Sequence, residues 1–191
     1  MKNFKKITLP TYLTLLRLFG APILVPFFIV NYVPQNNFVI NLLIASLFLM
    51  FGFTDYLDGF FARKYQQQTQ LGATLDHLAD KFLTFSAYLA LVAIGKMEYF
   101  WAILLIGREF FVMGLREIAL ENDMRVQVSS WGKLKTVTHI ALIAWMIIKP
   151  VPLNYSSLWY GIELILLVAS VLLSYFSAIN YFIVFYAHLK K

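Results

Sequence analysis

Six apolar runs, each close to the length that crosses a bilayer, leave this chain few folds to choose from. They cover residues 13–33, 38–61, 71–94, 99–120, 131–148 and 158–185. A helix needs ~20 apolar residues to cross ~30 Å of hydrocarbon, and a membrane strand only ~10. These runs are continuous rather than alternating, so strands of a membrane barrel are excluded. The reading is an all-α integral membrane protein with six transmembrane helices, built as one membrane domain over residues 1–191. Composition agrees: mean hydropathy is +0.70 and 14% of residues are charged, against roughly 25% in soluble proteins. The last run exceeds what a bilayer needs, so it tilts or extends past the membrane. In the first run Arg17, Gly20, Pro22 and Pro26 interrupt the pattern and predict a kinked helix. That run lacks a small-residue cleavage site, so the basic start before it does not read as a cleavable leader. There is no cysteine, which excludes disulfides, thiolate catalysis and thiolate-bound metals.

The basic residues orient the helices. Six spans put both termini on one side. That side receives Lys2, Lys5, Lys6, Arg63, Lys64, Arg125, Lys133, Lys190 and Lys191, whereas the opposite loops receive Lys96 and Lys149. The bias places both termini in the cytoplasm. It also accounts for the net charge of +6, and no nucleic-acid partner is expected.

One segment breaks the apolar pattern: DYLDGFFARKYQQQTQLGATLDHLAD, residues 55–80. Four of the five aspartates in the chain lie in it, at Asp55, Asp58, Asp76 and Asp80. Spacings of three and four put each pair on one helix face. The second helix runs inward and the third outward, so a short hairpin brings the pairs together near the cytoplasmic surface. Carboxylates crowded there repel one another and lose hydration, which protons or cations relieve. Four hard oxygen donors suit Mg²⁺ or Mn²⁺ rather than Zn²⁺, and a two-metal site acting on phosphate oxygens fits. The competing reading is helix packing against Arg63, Lys64 or Lys81. It suits one aspartate better than four, because intramembrane charges are expensive and usually functional. Gly59, Ala62, Gly72 and Ala73 allow close approach to the backbone. Arg63 suits either a phosphate or interfacial anchoring.

Taken together the segment reads D-x2-D-G-x2-A-R-x8-G-x3-D-x3-D, and it resembles the signature of the CDP-alcohol phosphatidyltransferases. The resemblance implies a six-helix membrane enzyme, a homodimer, with its active site open to the cytosol and a place in the cell membrane. It implies that Asp55, Asp58 and Asp76 hold the metals. Asp80 would complete the metal site and act as the base toward the acceptor hydroxyl. Asp55, Gly59, Ala62, Arg63, Gly72 and Ala73 would bind the CDP moiety. Three further segments, LPTYLTLLRLFGAP (9–22), GREFFVMGLR (107–116) and WGKLKT (131–136), are similar to the phosphatidylglycerophosphate synthase branch. The substrates implied are CDP-diacylglycerol, drawn from membrane lipid, and glycerol 3-phosphate. Thr11, His77 and Gly107 depart from the usual Asn, Pro and Ser, outside the eight signature positions.

The basic residues agree with an anionic acceptor. Arg108 sits inside the fourth run, where an unpaired charge is costly. Arg116 follows about 80° round the helix, and Lys133 and Lys135 open the fifth run on the cytoplasmic side. These four are the candidate ligands of the acceptor phosphate. Two alternatives stand beside this: a Glu109–Arg116 pair seven residues apart, and plain membrane anchoring for the two lysines. His139 is expected to make a helix-packing hydrogen bond rather than act in catalysis, and Glu163 is assigned no chemistry. Rival functions are another acceptor (serine or inositol phosphate), a membrane prenyltransferase, and a cation transporter. The second predicts Asp-rich motifs far apart, and the third predicts polar groups at several depths.

Overall fold

The computed structural model describes residues 9–64, 70–122, 130–150 and 157–189, and among them every long element is an α-helix. In chain order they are α1 (Leu9–Tyr32), α2 (Phe38–Lys64), α3 (Gln70–Ala93), α4 (Tyr99–Glu121), α5 (Ser130–Ile148) and α6 (Ser157–Leu189). Each coincides with one apolar run to within a few residues, and no strand occurs among the described residues. Contacts group α1–α3 into one compact unit and α4, α5 up to Met146 and α6 into another.

In the first unit α1 packs on both α2 and α3. Among its described side chains Ala21, Val25 and Ile29 are buried, as is Val33 just past its end, and Pro22 lies buried beside them. That four-residue spacing marks one helix face. Pro22 and Pro26 lie inside α1, and the helix runs through both. Each proline withholds one N–H from the carbonyl four residues earlier. The link after α1 is mostly wound: a 3₁₀ turn (Val33–Gln35) follows it directly and ends on Asn36 at φ 57°. Asn37 then caps α2, its Oδ1 accepting from the N–H of Val39 at 3.0 Å and of Ile40 at 3.3 Å. The inward face of α2 is Asn41, Ile44, Ala45 and Phe48, and α3 contributes Leu83, Ala87, Tyr88 and Leu91.

In the second unit the contacts set the helix directions. Tyr175 Oη donates to the Leu104 carbonyl at 3.4 Å, Phe111 meets Phe182, and Leu115 and Ala119 cluster with Tyr181 and Phe185. Residue numbers rise together, so α4 and α6 are parallel. His139 meets Ser174 and Trp145 meets Trp159, so α5 runs against them. The turn into α4 pivots on Gly95 at φ +70°. Next to it, Lys96 Nζ donates to the Met146 carbonyl at 2.9 Å, near the C-terminal end of α5. A Cβ on Gly95 would meet nothing within 4 Å. The cost of Gly95→Ala is therefore backbone strain alone, about 1–2 kcal/mol, to be measured by thermal unfolding in detergent.

The outer faces are apolar. Ile23, Leu43, Leu89, Ile103, Val137 and Ile165, one from each helix, are all more than three-fifths exposed. Among the described residues one helix segment, Leu158–Ala187, is long and apolar enough by itself to cross a membrane. Only 28% of its most apolar stretch is buried, whereas a soluble core helix would bury most of it. Contiguous exposed apolar surface on this scale is what a membrane protein offers to lipid.

Candidate functional site

The signature residues fall where the hairpin reading puts them along the backbone. Asp55, Asp58, Gly59, Ala62 and Arg63 belong to α2, and Gly72, Ala73, Asp76 and Asp80 to α3. The helical period therefore keeps each aspartate pair on one face. Their side chains, like that of Lys133, lie outside the described residues. The expected convergence of the four carboxylates lies outside them too.

The described side chains build a second feature, a buried polar network in the second unit. Arg108, Glu109, Lys135, His139 and Ser174 are each more than nine-tenths buried. Arg108 Nη1 donates to Glu109 Oε1 at 2.6 Å. Lys135 Nζ, arriving from α5, donates to the same oxygen. Arg108 Nε donates to the backbone carbonyl of Ser174 on α6 at 2.6 Å. The Ser174 hydroxyl is bonded to His139 Nε2 at 2.7 Å. Ser174 thus receives α4 on its carbonyl and α5 on its hydroxyl, and Glu109 joins α4 to α5 through two cations.

The physical logic is that of any buried charge. Taking ions out of water is costly unless each is paired and hydrogen-bonded. A guanidinium carries five donors; the two bonds to Glu109 and Ser174 hold it without using all of them. Arg108 also lines a groove of about 440 Å³ between α4 and α6, with Gly107, Phe111, Tyr175, Ala178, Ile179 and Phe182. The space beside Gly107 is open, since a Cβ there would meet nothing within 4 Å. Cations held this way can meet an anion with little reorganisation.

Comparison with known proteins decides the family. Residues 7–182 match the CDP-alcohol phosphatidyltransferase family. The chain belongs to that family. Among its relatives, a Haemophilus influenzae protein named CDP-diacylglycerol–glycerol-3-phosphate 3-phosphatidyltransferase is 32% identical over 185 residues, covering 92% of each chain. A Rickettsia typhi protein of the same name is 34% identical over 78% of each chain. One from Salmonella paratyphi A, again of that name, is 36% identical over 74% of this chain and 78% of its own.

As a family member, the chain carries its two sets of candidate residues in different units: the signature on α2 and α3, the candidate acceptor ligands on α4 and α5. Arg108 and Lys135 are brought together by one carboxylate oxygen, and Arg116 lies half-buried further along α4. Membrane anchoring does not describe Lys135, whose ammonium points inward to Glu109. His139 makes the packing hydrogen bond expected of it. Sequence reasoning missed Glu109 as a junction and Ser174 altogether. Both left a trace. A carboxylate beside an arginine in an apolar run must find partners. Ser170, Ser174 and Ser177 recur at helical spacing and form the buried polar face of α6.

Proposed function

We propose that this protein transfers the phosphatidyl group from CDP-diacylglycerol to sn-glycerol 3-phosphate, giving phosphatidylglycerophosphate and CMP. The observation that carries this is the complete eight-position signature on α2 and α3. Relatives that share a single printed activity over most of the chain support it.

The donor set of four aspartates, two per helix at one-face spacings, fits Mg²⁺ or Mn²⁺, and a pair of ions fits four carboxylates better than one. Asp55, Asp58, Asp76 and Asp80 would hold them. Bound there, the ions would neutralise pyrophosphate oxygens and the charge developing at phosphorus. Asp55, Gly59, Ala62, Arg63, Gly72 and Ala73 would bind the CDP moiety. Small residues let it approach the helices closely, and Arg63 offers paired donors to a phosphate. Arg108, Arg116, Lys133 and Lys135 hold the phosphate of glycerol 3-phosphate. Asp80 takes the proton from the glycerol 1-hydroxyl. The freed oxygen bonds to the phosphorus that carries diacylglycerol, the bond from that phosphorus to CMP breaks, and CMP leaves. No cysteine is available for a thiol intermediate, and transfer is direct.

The same reading makes the chain one multi-pass membrane domain with six spans, both termini and the active site facing the cytoplasm, working as a homodimer. The charge bias between loops supports the orientation. Aromatic residues fit a membrane boundary at the other ends of the helices: Tyr99 and Trp101 begin α4, while Trp145 and Trp159 join the end of α5 to the start of α6 with ring centroids 4.7 Å apart. Trp and Tyr favour the membrane–water boundary. The test is purified protein with CDP-diacylglycerol and labelled glycerol 3-phosphate. Labelled phosphatidylglycerophosphate is expected with Mg²⁺ or Mn²⁺ and none after chelation. Product that forms equally without a divalent ion overturns the metal assignment, and no product in either condition overturns the function.

A further inference from the structure

We propose that Glu109 is a positioning residue for the acceptor, fixing the two cations that grip its phosphate. The proposal rests on the assignment of Arg108 and Lys135 to that phosphate.

Arg108 and Lys135 come from different helices, 27 residues apart in the chain. Left alone, two buried cations at this separation would repel and turn away from each other. Glu109 prevents that. A single oxygen, Oε1, accepts from Arg108 Nη1 and from Lys135 Nζ, so the two nitrogens stand no more than two hydrogen bonds apart. A pair of cations at that spacing suits two oxygens of one phosphate. Glu109 is itself more than nine-tenths buried, so water does not dilute the interaction. The third restraint on Arg108, its Nε bond to the Ser174 carbonyl, leaves the guanidinium little freedom to swing. The arrangement resembles a metal ligand held by its hydrogen-bonded neighbour, where the neighbour sets the geometry without touching the bound group.

A purely structural carboxylate would give a different signature. Loss of helix packing lowers the amount of active enzyme, and it disturbs both substrates alike. Loss of positioning disturbs the acceptor alone. The removal of a negative charge would by itself favour anion binding, so a weaker grip on the acceptor can only come from lost geometry.

The experiment is steady-state kinetics of Glu109→Gln and Glu109→Asp in detergent or vesicles, varying glycerol 3-phosphate and CDP-diacylglycerol separately. Active enzyme is normalised by the folded fraction from thermal unfolding. For Glu109→Gln the KM for glycerol 3-phosphate is expected to rise on the order of tenfold, with the KM for CDP-diacylglycerol unchanged. Glu109→Asp, which keeps the charge, recovers part of the loss, and it carries the test if the Gln variant fails to fold. An unchanged or lowered acceptor KM, or an equal rise in both KM values, overturns the proposal. Lys135→Met runs in parallel. If it raises the acceptor KM and Glu109→Gln does not, the positioning role alone is wrong. If it leaves the acceptor KM unchanged, the assignment of the phosphate site is wrong.

Discussion

Asp80→Asn is expected to lower CMP release by about 10²–10⁴-fold, the range for removing a general base. Asparagine has nearly the same shape as aspartate and a similar helix propensity. It cannot take a proton from the acceptor hydroxyl. Its neutral amide is also a poorer ligand for a hard cation. The two roles separate by titration with divalent ion. If activity returns as Mg²⁺ is raised, Asp80 serves only to hold metal. If the loss persists at saturating Mg²⁺, the base assignment stands. Unchanged CMP release at any Mg²⁺ concentration sinks both roles. The KM for glycerol 3-phosphate should move little, because the acceptor phosphate is assigned to α4 and α5.

Arg108→Met is expected to have the largest effect on stability, about 3 kcal/mol, the lower end for breaking a buried ion pair by removing one partner. The lower end applies because Lys135 still reaches Glu109. Methionine fills much of the volume, so the loss reports charge and hydrogen bonding rather than a cavity. The bond from α4 to the Ser174 carbonyl goes with it. Thermal unfolding in detergent reads the effect. Comparison with Glu109→Gln and the double variant isolates the pair, with coupling of roughly 0.5–3 kcal/mol expected. A melting temperature equal to that of the unaltered protein would show that the ion pair carries no stability. The same variant should also weaken the acceptor, in the direction expected for Lys135→Met.

These two residues were legible to different degrees. Asp80 stands out because an apolar chain that gathers four aspartates in 26 residues must do something with them, and the helical period fixes which ones share a face. Arg108 stood out for a related reason, since its cost inside an apolar run demands compensation. Who compensates it was not legible. The natural pairing along one helix is Glu109 with Arg116, in line at seven residues. The bonds described at Glu109 come from its neighbour Arg108 and from Lys135 on α5, and spacing along one helix points to neither. Ser174 left only a faint trace, its helical spacing from Ser170 and Ser177, because a serine in an apolar helix carries no charge to mark it.

What the sequence by itself determined was the helical class, the number and approximate ends of the long helices, and the spacing of the signature. These follow from local physics. Hydrocarbon forces each backbone group to bond within its own segment, and 3.6 residues per turn then sets which residues line up. Only the tertiary structure decided that α1, the helix carrying Pro22 and Pro26, packs on both α2 and α3. It also decided that Glu109, Lys135, His139 and Ser174 meet Arg108 in one network. Those contacts join residues up to 66 positions apart. Such pairings depend on which helix faces pack together and in which direction, and no periodicity within one helix encodes that.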